Sequence, residues 1–323
     1  MAVYSENVQK VRAILAKRRN DNITKSERCA VEAIRKIPEL RAIREELSQT
    51  GARIMGEAMS HTLTEDKLAA IRADNENLRR RQALLLAANG FPPDYMDIHY
   101  TCEKCADTGY VGIDMCDCMR RELISVGMES AGLVFLAKNQ SFETFTLDFY
   151  KNHDKIRMEQ NAARLRAFAT QFDGKSGESF LLLGATGLGK THLSTSVAKV
   201  VIERGYDVIY DTTQDIFAVF EEERFGSGSG IQHERGRTVD RVLTCDLLII
   251  DDLGTEVTNQ FTLSCLYNIL NTRINHAKST ILNTNLTQTE LRSRYTDRIA
   301  SRLFGECKPL LFQGMDVRLQ KLQ

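Results

Sequence analysis

Gly184-Ala-Thr-Gly-Leu-Gly-Lys-Thr191 satisfies the spacing G-x-x-x-x-G-K-[ST] at every fixed position. Residues of these types in this order do one kind of chemistry. The glycines let backbone N–H groups wrap phosphate oxygens, the lysine reaches the β- and γ-phosphates, and the hydroxyl ligates Mg²⁺. Gly184, Ala185, Thr186, Gly187, Leu188, Gly189, Lys190, Thr191 and the following His192 are therefore the candidate nucleotide-binding residues, with a nucleoside triphosphate as the ligand. The loop follows an apolar run, Phe180–Leu183, and opens a helix expected over Thr191–Arg204, the context in which this motif functions.

A second group supplies acids. Leu247-Leu-Ile-Ile-Asp251-Asp252 is an apolar strand ending in two carboxylates. Asp251 is placed to hold the Mg²⁺ through water, and Asp252 to orient the attacking water. A nucleotide-binding switch needs only the first acid, so the second implies hydrolysis. A later strand, Ser279–Asn285, ends in a polar tip where Asn285 can touch the γ-phosphate or the lytic water; Asn283 and a plain strand cap are the competing readings. Beyond it, Arg292 to Arg302 is dense in arginine, which suggests positive charge lent to a neighbouring subunit's phosphate. Arg318 is a candidate for the same service in cis.

The third group is sulfur. Cys102-x₂-Cys105 and Cys116-x-Cys118 place four of the eight cysteines within one short segment. Four thiolates close a tetrahedral structural Zn²⁺ site and leave no open position for catalysis; an iron–sulfur cluster and bare thiols stay open as alternatives. His99 is nearby but unnecessary as a ligand. Cys29, Cys245, Cys265 and Cys307 lie in apolar contexts and read as packed thiols.

These groups need elements to position them. The chain has 323 residues, enough for two domains, and is 42% hydrophobic and 27% charged with zero net charge. The apolar runs from Ser179 onward alternate with helix-length stretches, the pattern of a parallel sheet covered by helices. Residues 1–90 read as helix, with stripes at Val8, Val11 and Leu15 and at Leu40, Ile43 and Leu47, a helix opening at Pro38, an N-cap at Thr64 and a stop at Asn89-Gly90. That region holds 17 Lys and Arg against 12 Asp and Glu. Arg79, Arg80 and Arg81 read as a solvated face or as a surface for a partner. Residues 91–135 form a linker and cysteine module, with a helix near Arg120–Ser130; residues 136–323 form the nucleotide-binding domain, with a helix over Asn161–Phe172. Phe225–Gly230 reads as a flexible loop. Transmembrane and signal-peptide segments are not expected, and a cytoplasmic setting follows.

The pieces GATGLGKTHLS, LLIIDDLGTE, TILNTNLTQTEL and RIASRLFGE, followed by an apolar strand and GMDVR, resemble the AAA+ ATPases of the DnaC/DnaI helicase-loader and IstB transposition-helper group. The resemblance covers roughly Phe142–Arg318. It implies an α/β P-loop AAA+ core with a parallel sheet flanked by helices, preceded here by a helical region and a small zinc-binding module. It also implies Asn285 as sensor 1, Arg302 as an arginine finger acting in trans and Arg318 as sensor 2. The family often has Asp-Glu where this chain has Asp251-Asp252. Loaders of the DnaI type carry a helical and zinc-binding module that grips the replicative helicase hexamer. The implied function is thus ATP-dependent loading of a DnaB-type helicase onto single-stranded DNA at replication initiation, with self-association through the AAA+ domain. A transposition helper and a zinc-containing ATP-binding adaptor with little hydrolysis are the alternatives. Lys151, Arg235, Arg237 and Arg241 are unranked candidates for DNA contact.

Overall fold

The computed structural model of the chain describes residues 2–60, 64–226 and 238–320. Most of the loop expected at Phe225–Gly230, with Arg235 and Arg237, lies outside the described residues. The chain divides into two compact units, Arg12–Met119 and Met1–Val11 with Arg120–Gln323. The cysteine segment shares a unit with the helices before it, and the division falls inside a helix.

The amino-terminal helices are α1 (Ala2–Lys36), α2 (Glu39–Met59) and α3 (Glu65–Ala88). Pro38 stands just ahead of α2. Thr64 caps α3 by accepting the Lys67 N–H, and Gly90 ends it at φ 78°. Ala30, Ala33, Ile37, Leu40, Leu86 and Met96 close into a small core, the tertiary packing from which amphipathic helices draw most of their stability. Arg79, Arg80 and Arg81 are exposed. A hairpin follows, of β1 (Tyr110–Val111) and β2 (Asp114–Met115), and then α4 (Asp117–Ser130), so Cys118 sits in the first turn of a helix.

The second unit continues with α5 (Leu136–Asn139), α6 (Asn152–Gln171), β3 (Ser179–Leu183), α7 (Lys190–Glu203), β4 (Val208–Thr212), α8 (Thr213–Phe225) and α9 (Val239–Thr244). After them come β5 (Leu247–Leu253), α10 (Gln260–Asn275), β6 (Ser279–Thr284), α11 (Gln288–Arg294), α12 (Asp297–Gly305), β7 (Cys307–Leu311) and α13 (Val317–Gln320). α6 begins at Asn152 rather than Asn161. Strands β3 to β7 pair in parallel in the order β4-β5-β6-β3-β7. β4, which precedes the acid strand in sequence, goes to the edge, and β6 inserts between the phosphate-loop strand and the acid strand.

Both faces of this sheet are covered, which explains strands that are apolar throughout. Phe180, Leu182 and Ile249 pack with Leu165 and Val197 of α6 and α7 on one face. Leu181, Ile250 and Leu282 pack with Ile216, Leu266 and Leu303 of α8, α10 and α12 on the other. Cys245, Cys265 and Cys307 are buried in that second layer, and Cys29 is half-buried. Arg241, a sequence candidate for DNA contact, is instead buried against Asp207 at 2.8 Å, because a carboxylate beside it answers its charge. Lys151 is exposed. Among the described residues no helix is long and apolar enough to cross a membrane.

Arg273 of α10 is 1% exposed and works as a staple. Its guanidinium donates to the carbonyls of Val242, Cys245 and Ser279 at 3.0, 3.0 and 2.6 Å and to the Thr280 hydroxyl at 2.9 Å, joining the end of α9 to the start of β6. Only a planar fork of donors reaches these acceptors together. Arg273→Lys is therefore expected to lower unfolding free energy by about 2–3 kcal/mol in urea titrations, since buried carbonyls lose their donors.

Candidate functional site

The turn between β3 and α7 depends on glycine at two places. A Cβ on Gly184 would lie 2.3 Å from the Phe312 carbonyl, which follows β7. Gly189, in left-handed conformation at φ 86°, forms the N-cap of α7. The turn thus directs backbone N–H groups and the start of α7 into one cleft, lined from Thr186 through His192, with Gly184 and Ala185 contributing carbonyls behind it.

Lys190 is 6% exposed. Its ammonium donates to the Gly184 and Ala185 carbonyls at 2.6 and 2.8 Å and to Asn285 Oδ1 at 2.8 Å. Three acceptors hold the charge at the mouth of the loop. Burial pushes its pKa down to about 8; Asp251 and Asp252 oppose that fall and Arg318 adds to it.

Asp251, 7% exposed, lies behind the cleft and accepts four hydrogen bonds on its carboxylate. Its Oδ2 accepts the Thr191 hydroxyl at 3.0 Å and the Tyr210 hydroxyl at 2.6 Å; its Oδ1 accepts the Asn283 amide and the Asp252 N–H, both at 3.0 Å. Asn283 also donates to Ser194 at 2.9 Å. These bonds separate the two asparagines. Asn283 is fully buried behind Asp251, whereas Asn285 faces the cleft beside Lys190. Tyr210, on the edge strand β4, was not foreseen from sequence. Thr191 and Asp251 offer hard oxygen donors side by side, a set that fits Mg²⁺.

Asp252 lines the cleft with φ 55°. Burial, and then the charge of Asp251, raises its pKa above the ordinary carboxylate value, while Lys190 and Arg318 pull the other way. Arg318 lines the same cleft next to Val317, whose N–H donates to the Gly187 carbonyl at 3.0 Å. Arg302 does not line it. Its guanidinium stacks 4.4 Å over the Tyr267 ring and donates to the Tyr267 hydroxyl at 3.0 Å and to Asn271 Oδ1 at 2.7 Å.

The opposite wall comes from residues 140–150, which sequence reasoning passed over. Tyr150 donates to the Leu188 carbonyl at 3.0 Å. His192 bonds the Ser141 carbonyl at 2.9 Å and the Thr144 hydroxyl at 3.2 Å, and Phe145 packs edge-on to its ring at 5.4 Å. The available signal was aromatic density: Phe142, Phe145, Phe149 and Tyr150 fall within nine residues of a chain that is only 7% aromatic.

In the first unit Cys102, Cys105, Cys116 and Cys118 bring their sulfurs within 4.8 Å of one another, the metal-type cluster found among the described residues. Cys102 and Cys116 sulfurs are 3.7 Å apart, and those of Cys105 and Cys118 3.4 Å. Zn–S bonds of about 2.3 Å in a tetrahedron put sulfurs roughly 3.8 Å apart, so the set fits zinc. Asp107, 1% exposed, shapes the first turn by accepting the N–H groups of Thr101 and Cys102 at 2.9 Å each and the Asn22 amide of α1 at 3.0 Å. Gly109 N–H points at Cys105 Sγ, 3.4 Å away. His99 bonds Asp94 and takes no part in the cluster.

Two outcomes are expected. Lys190 loses its proton as pH rises through about 8, and a triphosphate favours the charged form; ATP affinity measured by calorimetry should fall above that pH by up to about tenfold per unit. A flat profile from neutral pH upward would contradict this. Elemental analysis should find about one zinc per chain, and Cys116→Ser should lower both zinc content and thermal stability.

Residues 127–322 match the model of the IstB-like ATP binding protein family. The chain is 24% identical over 174 residues to the replicative helicase loader DnaC of Escherichia coli (strain K12), a match spanning 54% of this chain and 66% of the relative, just under two thirds of its length. Among solved structures, a crystal structure of the DnaC helicase loader superposes with a TM-score of 0.47 at 24% identity, covering 56% of this chain and 100% of that one. A crystal structure of DnaI gives 0.44 at 21% identity, covering 56% and 92%. With its phosphate loop, acid pair and five-stranded parallel sheet all inside the matched span, which exceeds half of its length, the chain belongs to the IstB-like ATP binding protein family.

Proposed function

We propose that the chain is an ATP-dependent loader that delivers a DnaB-type replicative helicase hexamer to single-stranded DNA, hydrolysing ATP to ADP and phosphate as it does so. The observation that carries the ATPase part is the convergence of Lys190, Thr191, Asp252 and Asn285 on one cleft, with Asp251 bonded to Thr191 behind it. The loader part draws support from the likeness to DnaC of E. coli and from the cysteine module and helices ahead of the ATPase domain. The helical region 1–90 and the module 91–135 would grip the helicase, and 136–323 would work as the motor.

In this reading the phosphate loop binds the triphosphate, with Lys190 turned from its carbonyl partners toward the β- and γ-phosphates. Thr191 and Asp251 would hold Mg²⁺, which supplies charge neutralisation on the phosphate oxygens. Asp252 accepts a proton from the attacking water, and its raised proton affinity suits that task. Asn285 orients the water or the γ-phosphate from the far side of Lys190, and Arg318 adds charge in cis. Arg302, held by Tyr267 and Asn271 outside its own cleft, would complete the cleft of a neighbouring subunit, so hydrolysis would require self-association. The module with four thiolates would do no chemistry; its place is to build the helicase-binding surface.

Turnover with and without single-stranded DNA tests the motor. Asp252→Asn is expected to bind ATP normally and hydrolyse it about a hundredfold or more slowly. Arg302→Ala should lose a comparable factor and regain activity when mixed with Lys190→Ala subunits, because each then lacks a different half of the shared site. The acid limb of the pH–rate profile should lie above the ordinary carboxylate value, following Asp252. Loading is tested by helicase-dependent unwinding of DNA coated with single-strand-binding protein. Failure to bind any replicative helicase would sink the loader reading, preference for duplex DNA and a transposase would favour the transposition helper, and absence of turnover would favour the adaptor.

A further inference from the structure

Four residues after Asp252 the chain buries another acid. Glu256 is 4% exposed, although it belongs to a loop and lines no part of the nucleotide cleft. A buried carboxylate persists when its oxygens are bonded and its charge is answered. Both oxygens of Glu256 are used. Oε2 accepts the Gly254 N–H at 2.8 Å, and Oε1 accepts the Tyr295 hydroxyl at 2.5 Å. Arg294 brings the countercharge, with Nε 3.7 Å from Oε1, and also donates to the Glu256 carbonyl. The side chain therefore bridges the loop after β5 to the junction of α11 and α12, a sequence separation of 39 residues.

The loop it grips is the one that presents Asp252. β5 departs from regular register with β6 between Ile250 and Leu253, and Asp252 lies in that irregularity at φ 55°. A non-glycine residue holds a left-handed conformation when its surroundings enforce it. Before the turn, the Asp252 N–H is fixed on Asp251. After it, the Thr255 hydroxyl and N–H both donate to the Asp252 carbonyl, at 2.9 and 3.2 Å. Gly254 follows at φ 102°, so close to Leu286 that a Cβ there would lie 2.5 Å from its side chain. These bonds shape the turn locally; the Thr284 hydroxyl of β6 holds the Leu253 carbonyl at 2.6 Å, and Glu256 adds the tie to the α11–α12 junction.

We propose that Glu256 is a positioning residue for ATP hydrolysis, its bridge from Gly254 to Tyr295 and Arg294 holding the turn that aims Asp252 into the cleft. The inference rests on the reading of Asp252 as the group that takes the water's proton. Glu256 lines no part of the cleft, so it acts through Asp252. The same bridge ends on Tyr295, immediately before Thr296, the N-cap of α12 that carries Arg302. One carboxylate thus sets the base of a subunit's own cleft and the root of the helix whose arginine is offered to the next.

The test compares full-length Glu256→Gln, which keeps the shape and removes the charge, and Tyr295→Phe, which removes one hydroxyl, with Asp252→Asn. Each of the first two is expected to lower kcat about tenfold to a hundredfold, the cost of a misplaced catalytic group, while affinity for a fluorescent ATP analogue stays within about twofold. Combined with Asp252→Asn, neither should slow turnover further, because displacing a base that is already gone has no effect. Losses that add to that of Asp252→Asn, or that fall equally on nucleotide affinity, mark a merely structural role and overturn the proposal. So does unchanged kcat in both variants while Asp252→Asn is slow; in that case the base reading survives alone. If Asp252→Asn turns over like the parent protein, the base reading falls and takes this proposal with it. Should Glu256→Gln fail to fold, Tyr295→Phe decides.

Discussion

The structure turns on a single buried carboxylate. Asp251 accepts hydrogen bonds from α7, β4, β6 and its own following residue, so four elements meet on one charged group in the middle of an apolar sheet. Leaving any of those lone pairs unpaired would cost more than most single contacts in the domain return. Strand order follows from the same need. β6 must lie beside β5 for Asn283 to reach Asp251, and β4 must lie on the other side for Tyr210 to do so. The apolar runs decide that a sheet forms; the acid decides which strands stand next to it.

Around that fixed point the cleft sorts its groups by what they touch. Lys190 is held by carbonyls and an amide, so its charge is in place before any phosphate arrives. Asp252 is less buried than Asp251 and less bonded, and it faces the cleft. The aromatic segment 140–150 screens one side and fixes His192 and the Leu188 carbonyl. Arg302 stands apart, anchored on α10 by stacking and by two hydrogen bonds.

What the sequence made legible was local. The phosphate loop and the acids at a strand end span a few residues each, the cysteines lie between Cys102 and Cys118, and the alternation of strand and helix is a succession of short runs; the structure places them as elements of the expected kind. What it hid depends on partners far along the chain. Asn22 reaches Asp107 across 85 residues, Tyr210 reaches Asp251 across 41, and Tyr295 reaches Glu256 across 39. Arg241 shows the same limit from the other side: in sequence it is one more cation, and only the approach of Asp207 makes it an interior group. α6 starts early because Asn152 to Gln160 is polar on its open side, which masks its periodicity.

The insertion of β6 between β3 and β5 has a consequence for how the domain comes into being. β3, the first strand of the sheet to be made, pairs on one side with β6 and on the other with β7, roughly a hundred residues or more downstream. Neither neighbour exists while β3, β4 and β5 are emerging from a ribosome. β4 and β5 can pair with each other, but β3 and its phosphate loop must wait, unpaired or wrongly paired, until nearly the whole domain has been synthesised. High contact order of this sort slows folding and lengthens exposure of sticky surface. The arrangement that brings phosphate loop, acid and asparagine together thus makes the nucleotide-binding domain a product of late translation.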